Sequence, residues 1–326
     1  MPRILLAPLE GLADPLMRDV LTAIGGYDWG ICEFVRVSNN LLPVKTHQRI
    51  CPELLNGSKT PCGTPMRVQL LGSDPYFMAE NARRLVTLQP AGIDINFGCP
   101  APTVFRHRGG SALLGEPQLL NDIVSAVRAV IPVDIPFTAK MRLGIEDDSL
   151  AVDNAQAIEA GGVDELIVHG RTKVDGYRPP AKWAQIDRVR AAVRIPIIAN
   201  GEVWTVEDFH RCQQESGCAD IMLGRGALSD PFLALKVRGT SLGDHDAWTA
   251  LAPGLAAYWR GVRRLVLPDH AGGRLKQWLM LLRRQYPEAE ALYLRLRPVK
   301  AAEDIDALLL AAGILQAPPD NCMVAH

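Results

Sequence analysis

With 326 residues, 48% hydrophobic and 22% charged, the chain has a globular composition and enough apolar material for one large domain or two ordinary ones. A formal net charge of -1 excludes a global field toward nucleic acid, no apolar run approaches the ~18 residues of a membrane span, and the opening residues show no signal-peptide pattern. Seven scattered cysteines without a C-x-x-C pair suggest neither a disulfide framework nor a zinc site, so no metal is expected and a reducing, cytoplasmic setting fits best.

Along the chain, short apolar runs of strand length recur, each closing on a polar or glycine-containing turn. They cover residues 4–7 before PLEG, 31–37, 66–71 before GSD, 93–96 before FGCP, 137–141 before RLG, 165–168 before HGRT, 196–199 before NGEV and 220–223 before GRGA. Stretches of helical period separate them, among them 121–130 and 149–160. Eight strands alternating with helices predict an α/β fold, a (β/α)8 TIM barrel over 1–240. An open doubly wound sheet would usually carry G-x-G-x-x-G after its first strand, and none stands there. After Gly239, TSLGDHD reads as a linker and only helical periodicities follow, with Leu275, Trp278, Leu279 and Leu282 on one stripe. A C-terminal all-helical domain is expected over 245–313, then a loose tail over 314–326.

In such a barrel the active site lies at the C-terminal ends of the strands. Glu10, Gln69, Asn96, Cys99, Lys140, Arg142, His169, Asn200, Glu202 and Arg225 fall there, and ten polar residues converging on one mouth make a site. ANGEV after the seventh strand and LGRGAL after the eighth stand where many barrels bind phosphate. Gly201, Gly224 and Gly226 would let the backbone approach the ligand, and Arg225 adds charge. Each turn alone could equally be a tight βα connection; their joint position favours phosphate. Lys140 could be an amine nucleophile, a phosphate ligand or a fixed cation beside an electron-rich ring such as a reduced flavin. The Gln69 amide offers the donor and acceptor that a flavin's N3–H and C4=O edge needs. His169 could support a ribityl or phosphate end, or cap its strand. Asn96 could hydrogen-bond a planar ring edge. Cys99, set between a glycine and a proline where the chain leaves its strand, could be a thiolate nucleophile with His107 as base, a thiol acid, or a small buried hydrophobe. Spacing does not separate these roles. The stretch after it, through Arg106-His107-Arg108 and Gly109-Gly110, reads as a basic, glycine-rich loop before a helix.

Seven motifs in one order carry a resemblance. They are A-P-L-E-G-x-x-D at 7–14, N-x-G-C-P-x-x-x-V at 96–104, G-G-S-A-L-L at 109–114, K-M-R-L-G at 140–144, V-H-G-R-T at 168–172, A-N-G-E-V at 199–203 and G-R-G-A at 224–227. With them the chain resembles the tRNA-dihydrouridine synthases from residue 4 to about residue 312. F-V-R-V around Arg36, H-G-R-T-K-x-x-G-Y-R through Tyr177 and R-x-K-Q-W at 274–278 are most similar to the bacterial C-type enzymes, which act on uridine 16 of the D-loop. The resemblance implies an FMN-dependent barrel with a helical tRNA-binding domain, NADPH as hydride donor, and a monomer without a protein partner. It implies FMN contacts from Pro8, Leu9, Glu10, Gln69, Lys140, His169, Asn200, Gly201, Glu202, Gly224 and Arg225, and tRNA contacts from Arg36, Asn96, Arg142, Tyr177, Arg274 and Lys276. Cys99 would protonate C5 of a flipped-out uracil while hydride reaches C6. The chain departs from the family at Leu9, where methionine is common, at Ala13, where threonine is, and at Thr103, where many members carry lysine.

Charge distribution agrees with an RNA partner. Between Tyr258 and Lys300 ten basic residues face three acids, an excess of +7 that leaves -8 on the rest of the chain. Two other readings compete. A small-molecule FMN-dependent pyrimidine oxidoreductase shares the barrel chemistry but leaves the basic helices unexplained, and an RNA-binding barrel without catalysis leaves Cys99 and Lys140 unexplained.

Overall fold

The computed structural model describes residues 1–240 and 246–316. Among them, strands β1 (Ile4–Leu6), β2 (Trp29–Ile31), β3 (Val35–Arg36), β4 (Met66–Leu71), β5 (Ile93–Phe97), β6 (Phe137–Arg142), β7 (Glu165–His169), β8 (Ile197–Asn200) and β9 (Ile221–Leu223) form one parallel sheet. Its order is β2-β1-β9-β8-β7-β6-β5-β4-β3, and β2 also pairs with β4, so the sheet closes on itself. The fold is a TIM barrel with helices between the strands. The strand expected over 31–37 is two: the chain breaks after Ile31, where the Glu33 carboxylate accepts a hydrogen bond from the Gly11 N–H (2.5 Å), and rejoins β4 as β3. Nine segments thus make eight staves. The basic loop after Cys99 folds further than expected, into a helical turn Pro102–Arg106 and a 3-10 turn Gly110–Gly115, before the helix Pro117–Arg128.

Alternation along the strands divides the barrel. On β5, Ile93, Ile95 and Phe97 alternate with Asp94 and Asn96; on β6, Phe137, Ala139 and Met141 alternate with Thr138, Lys140 and Arg142. The apolar sets are completely buried. Because Asn96, Lys140 and Arg142 line the cavity, these apolar sets face the other side of the sheet, and a separate buried cluster includes Leu5, Trp29, Ile31, Ile167, Ile198 and Met222. At the N-terminal end Arg3 pairs with Asp220 (2.6 Å) and Glu165 (2.5 Å), and Arg67 stacks 3.5 Å over Trp29, so the polar groups there find partners.

Helix starts follow local chemistry. Asp14, Asp74 and Thr205 each accept from the N–H three residues on, and Pro15 and Pro75 supply the fixed φ of a first turn. Asp14 of the A-P-L-E-G-x-x-D motif is therefore a helix cap.

The chain divides into two compact units, Met1–Ala227 with Phe232–Arg238, and Leu228–Pro231 with the chain from Gly239 on. The second contains the helices Ala247–Leu265, Pro268–Leu282, Pro287–Leu296 and Ala302–Ala311. Leu275, Trp278, Leu279 and Leu282 are buried as their stripe predicts, and Trp278 packs edge-on against Tyr258 at 5.0 Å. Most of the expected linker and tail lies at 241–245 and 317–326, outside the described residues.

Arg18, on the helix Pro15–Ile24, is fully buried and holds Glu53 through two contacts of 2.7 and 2.9 Å. Glu53→Ala strands that guanidinium, so we expect a loss of about 3–5 kcal/mol, read as a lower urea midpoint at unchanged slope.

Candidate active site

Cavity geometry places the expected residues together. A cavity of about 410 Å³ opens in the barrel unit. Every residue expected to contact FMN, from Pro8 to Arg225, lines it, together with Asn96, Cys99, Arg142 and Tyr177. Three expected residues do not. Arg36 is exposed on β3 and donates to the Thr103 carbonyl (3.4 Å), while Arg274 and Lys276 belong to the helical unit. Lys276 donates to the carbonyls of Arg297 (3.3 Å) and Val299 (2.5 Å), which close the helix Pro287–Leu296. Arg142, His169 and Asn200, expected near the turns, are the last residues of their strands, and Gln69 lies inside β4.

The cysteine is held by its backbone. Asn96 Oδ1 accepts from the N–H groups of Gly98 (2.9 Å) and Cys99 (2.8 Å). The Cys99 carbonyl accepts from the N–H (3.1 Å) and the hydroxyl (2.9 Å) of Ser111, and the Gly98 carbonyl from Arg142 Nε (2.9 Å). Gly110 has φ +57, and a Cβ there would lie 2.8 Å from the Cys99 carbonyl oxygen. Only glycine fits that approach, which gives the G-G-S motif its reason. Burial pushes the Cys99 thiol up, helped by Glu10 and opposed by the Ala101 N–H, Arg142 and Arg36. His107 does not act as its base: it is exposed and its Nδ1 faces the Thr103 carbonyl at 3.0 Å.

The cavity also carries several cations. Arg142 is largely held by the protein, its Nη1 donating to the Thr172 (2.9 Å) and Gly176 (2.8 Å) carbonyls and its Nε to Gly98. Arg171, missed in the sequence although it lies within V-H-G-R-T, is fully buried, pairs with Glu202 and faces His169 Nε2 at 3.3 Å. Because arginine only donates, that His169 nitrogen accepts and the ring proton sits on Nδ1. Burial, with Arg142, Lys140, Arg171 and Arg225 around it, drives the His169 pKa well down, so the ring is neutral. Arg225 lies 4.7 Å from the Tyr177 ring centroid and 5.3 Å from that of Trp204, a second missed residue. Gly201 has φ +116, and a Cβ there would meet His169 at 2.7 Å; a Cβ on Gly226 would collide with the Val203 carbonyl. Glycine is thus required at 201, against His169, and at 226, where the turn after β9 meets the Val203 backbone.

Lys140 stands apart. It lines the cavity and makes no hydrogen bond or ion pair among the described residues. Burial and the neighbouring Arg142 push its ammonium down to about 8, opposed by Asp94. An unpaired cation on the cavity wall, together with two glycine-containing turns and Arg225, fits a ligand with an electron-rich ring at one end and a phosphate at the other. The residues present therefore suit FMN.

Residues 5–250 match the dihydrouridine synthase (Dus) family. The chain belongs to that family. It is an enzyme. It is 52% identical to a tRNA-dihydrouridine(16) synthase of Aquipseudomonas alcaligenes over 94% of this chain and 98% of that one. A tRNA-dihydrouridine(16) synthase of Cupriavidus necator is 51% identical over 95% and 97%. Among solved structures, the old yellow enzyme homologue of Zymomonas mobilis shares the fold with TM-score 0.51 and 16% identity, covering 73% of this chain and 88% of that one. Histamine dehydrogenase from Rhizobium sp. 4-9 does so with TM-score 0.54 and 13% identity, covering 79% and 48%.

The thiol's environment yields a direct expectation. Cys62 is exposed and acidified by hydrogen bonds from Thr22, Thr60 and Thr64 that outweigh its partial burial, whereas Cys99 is raised. Alkylation followed by mass spectrometry from pH 7 to 10 should label Cys62 first and Cys99 only at higher pH. A Cys99 midpoint below that of Cys62 would contradict a neutral thiol.

Proposed function

We propose that this enzyme reduces the C5=C6 bond of a D-loop uridine of tRNA, at position 16, to 5,6-dihydrouridine with FMN and NADPH. The observation that carries the reading is a neutral thiol, Cys99, and an unpaired ammonium, Lys140, on the wall of one cavity. The near-full-length relatives named tRNA-dihydrouridine(16) synthases support the choice of substrate and position.

When bound, FMN supplies hydride chemistry, with NADPH as the reductant. Arg225 and the turns at 200–202 and 224–226 would hold its phosphate, and Lys140 would offer its ammonium to the electron-rich ring. Gln69 has one amide hydrogen left for the ring, since the other is given to Asp94 (2.7 Å). Cys99 Sγ–H gives its proton to C5 of the uracil, and a thiol kept above its ordinary range is suited to acid work at neutral pH. Asn96 acts through the loop backbone, and its second amide hydrogen remains for the uracil edge. Tyr177, half exposed beside Arg225, offers a face against which a flipped base can stack.

Cys99→Ala should bind FMN and accept hydride from NADPH as the wild type does, while single-turnover oxidation of the reduced flavin by tRNA falls about 10²–10⁴-fold. Serine, a weaker acid, should behave like alanine. Wild-type oxidation rates in Cys99→Ala would assign the proton to another group. Free uracil or orotate as oxidant, in place of tRNA, would instead support the small-molecule reading.

Lys140 gives the pH dependence its sign. Its ammonium is charged below about pH 8 and loses its proton as pH rises through that value. FMN affinity should therefore decline above about pH 8, displaced upward by whatever the bound flavin adds to the ammonium's stability. In Lys140→Met that decline should vanish and affinity at pH 7 should be lower. Fluorescence titration of the apoenzyme reads both.

A further inference from the structure

Asp94 is completely buried, an arrangement that costs a barrel core several kcal/mol unless the charge is well partnered. It stands on β5 in register with Gln69 on β4 and Thr138 on β6. Its Oδ1 accepts from the Thr138 hydroxyl (2.6 Å) and its Oδ2 from Gln69 Nε2 (2.7 Å). Gln69 Oε1 in turn accepts from Asn96 Nδ2 (2.8 Å), and Asn96 Oδ1 accepts from the N–H groups of Gly98 and Cys99.

We propose that Asp94 is a positioning residue for Cys99, its carboxylate fixing which way the Gln69 and Asn96 amides face and so holding the backbone of the cysteine loop. This rests on the reading of Cys99 as the proton donor. An amide has a donor end and an acceptor end, and nothing intrinsic selects which one faces a given neighbour. An ionised carboxylate only accepts. Gln69 must therefore turn its NH2 to Asp94 and its oxygen to Asn96. Asn96 must then turn its NH2 to Gln69, which leaves its oxygen for the two loop N–H groups. Remove the acceptor-only root and both amides are free to flip, putting an NH2 against two N–H donors. Burial raises the Asp94 pKa to about 6, but hydrogen bonds from Thr138 and Gln69 and the charges of Arg67 and Lys140 oppose it, so the ionised form prevails at neutral pH.

The test moves the charge by one link. Asp94→Asn should keep its FMN and accept hydride from NADPH. Its single-turnover oxidation by tRNA should fall at least about tenfold, the size of one lost hydrogen bond to a buried group. Hydrogen exchange at the Gly98 and Cys99 amides should speed up by a similar factor. The double variant Asp94→Asn/Gln69→Glu restores an acceptor-only link facing Asn96 and should recover slow exchange at the Gly98 and Cys99 amides, the readout on which it is compared with Asp94→Asn because Gln69 also lines the cavity. If Asp94→Asn fails to fold, Gln69→Met severs the same relay and should accelerate the same two amides. Unchanged exchange at 98 and 99, or a double variant no better than Asp94→Asn, would overturn the proposal. If wild-type flavin is not oxidised by tRNA while the amides still respond to Asp94, the functional reading fails and the positioning role stands.

Discussion

Four cationic side chains, Lys140, Arg142, Arg171 and Arg225, crowd the mouth of the barrel around His169, and much of the site follows from how that charge is placed. In a poorly solvated cavity like charges repel strongly, so each needs compensation. Arg142 spreads its charge over three backbone carbonyls, Arg171 over Glu202, and Arg225 lies against two aromatic faces. His169 yields by staying neutral. Of the four, Lys140 alone faces the cavity with no hydrogen bond or ion pair among the described residues, offset only by the more distant charge of Asp94. A ligand that supplied electron density there would offset the repulsion, and its binding would then be linked to the stability of the fold.

The same cations bear on the cysteine. Arg142 and Arg36 favour a thiolate at Cys99, as in cysteine nucleophiles, yet burial and Glu10 outweigh them and the thiol remains protonated. A nucleophile would be served by the reverse balance and by a histidine in reach; His107 is held to its own helical turn instead. Rigidity serves an acid more than reactivity does. The loop is tied at the carbonyl and N–H of Gly98 and of Cys99, so the sulfur's place is set by the backbone while its proton is free to leave.

How much of this was legible in the sequence differs by level. Strand-closing polar residues revealed the barrel and its mouth, because a period of two and a turn signal are local properties. Partner choice was not legible. Gln69 looked like a flavin ligand with a whole amide to give, but its oxygen and one hydrogen go to Asn96 and Asp94. Arg142, expected as a substrate contact, lines the cavity but gives its Nε and Nη1 hydrogens to three carbonyls, leaving only Nη2 for any ligand. Asp94 escaped notice because an acid inside an apolar strand reads as an interruption until its register with Gln69 and Thr138 is known. The break between β2 and β3 was hidden for a similar reason: the residue that accompanies it, Glu33, bonds to Gly11, twenty-two positions earlier.

The helical unit shows how a charge count is refined by geometry. Its excess of +7 counts every base alike. Arg263 pairs with Glu303 (3.1 Å) and Asp306 (3.5 Å), Arg283 with Glu290 (2.8 Å), and Lys276 caps carbonyls, so these are partly spent on the fold. Arg260, Arg264, Arg295, Arg297 and Lys300 are exposed and carry no ion pair among the described residues. Phosphate attraction depends on charge that can exchange its counterions, and a base already satisfied by a carboxylate releases fewer. Exchangeable positive charge in this unit therefore sits more on these five than on Lys276. Lys276, in the R-x-K-Q-W segment, ties the end of the helix that carries Arg295.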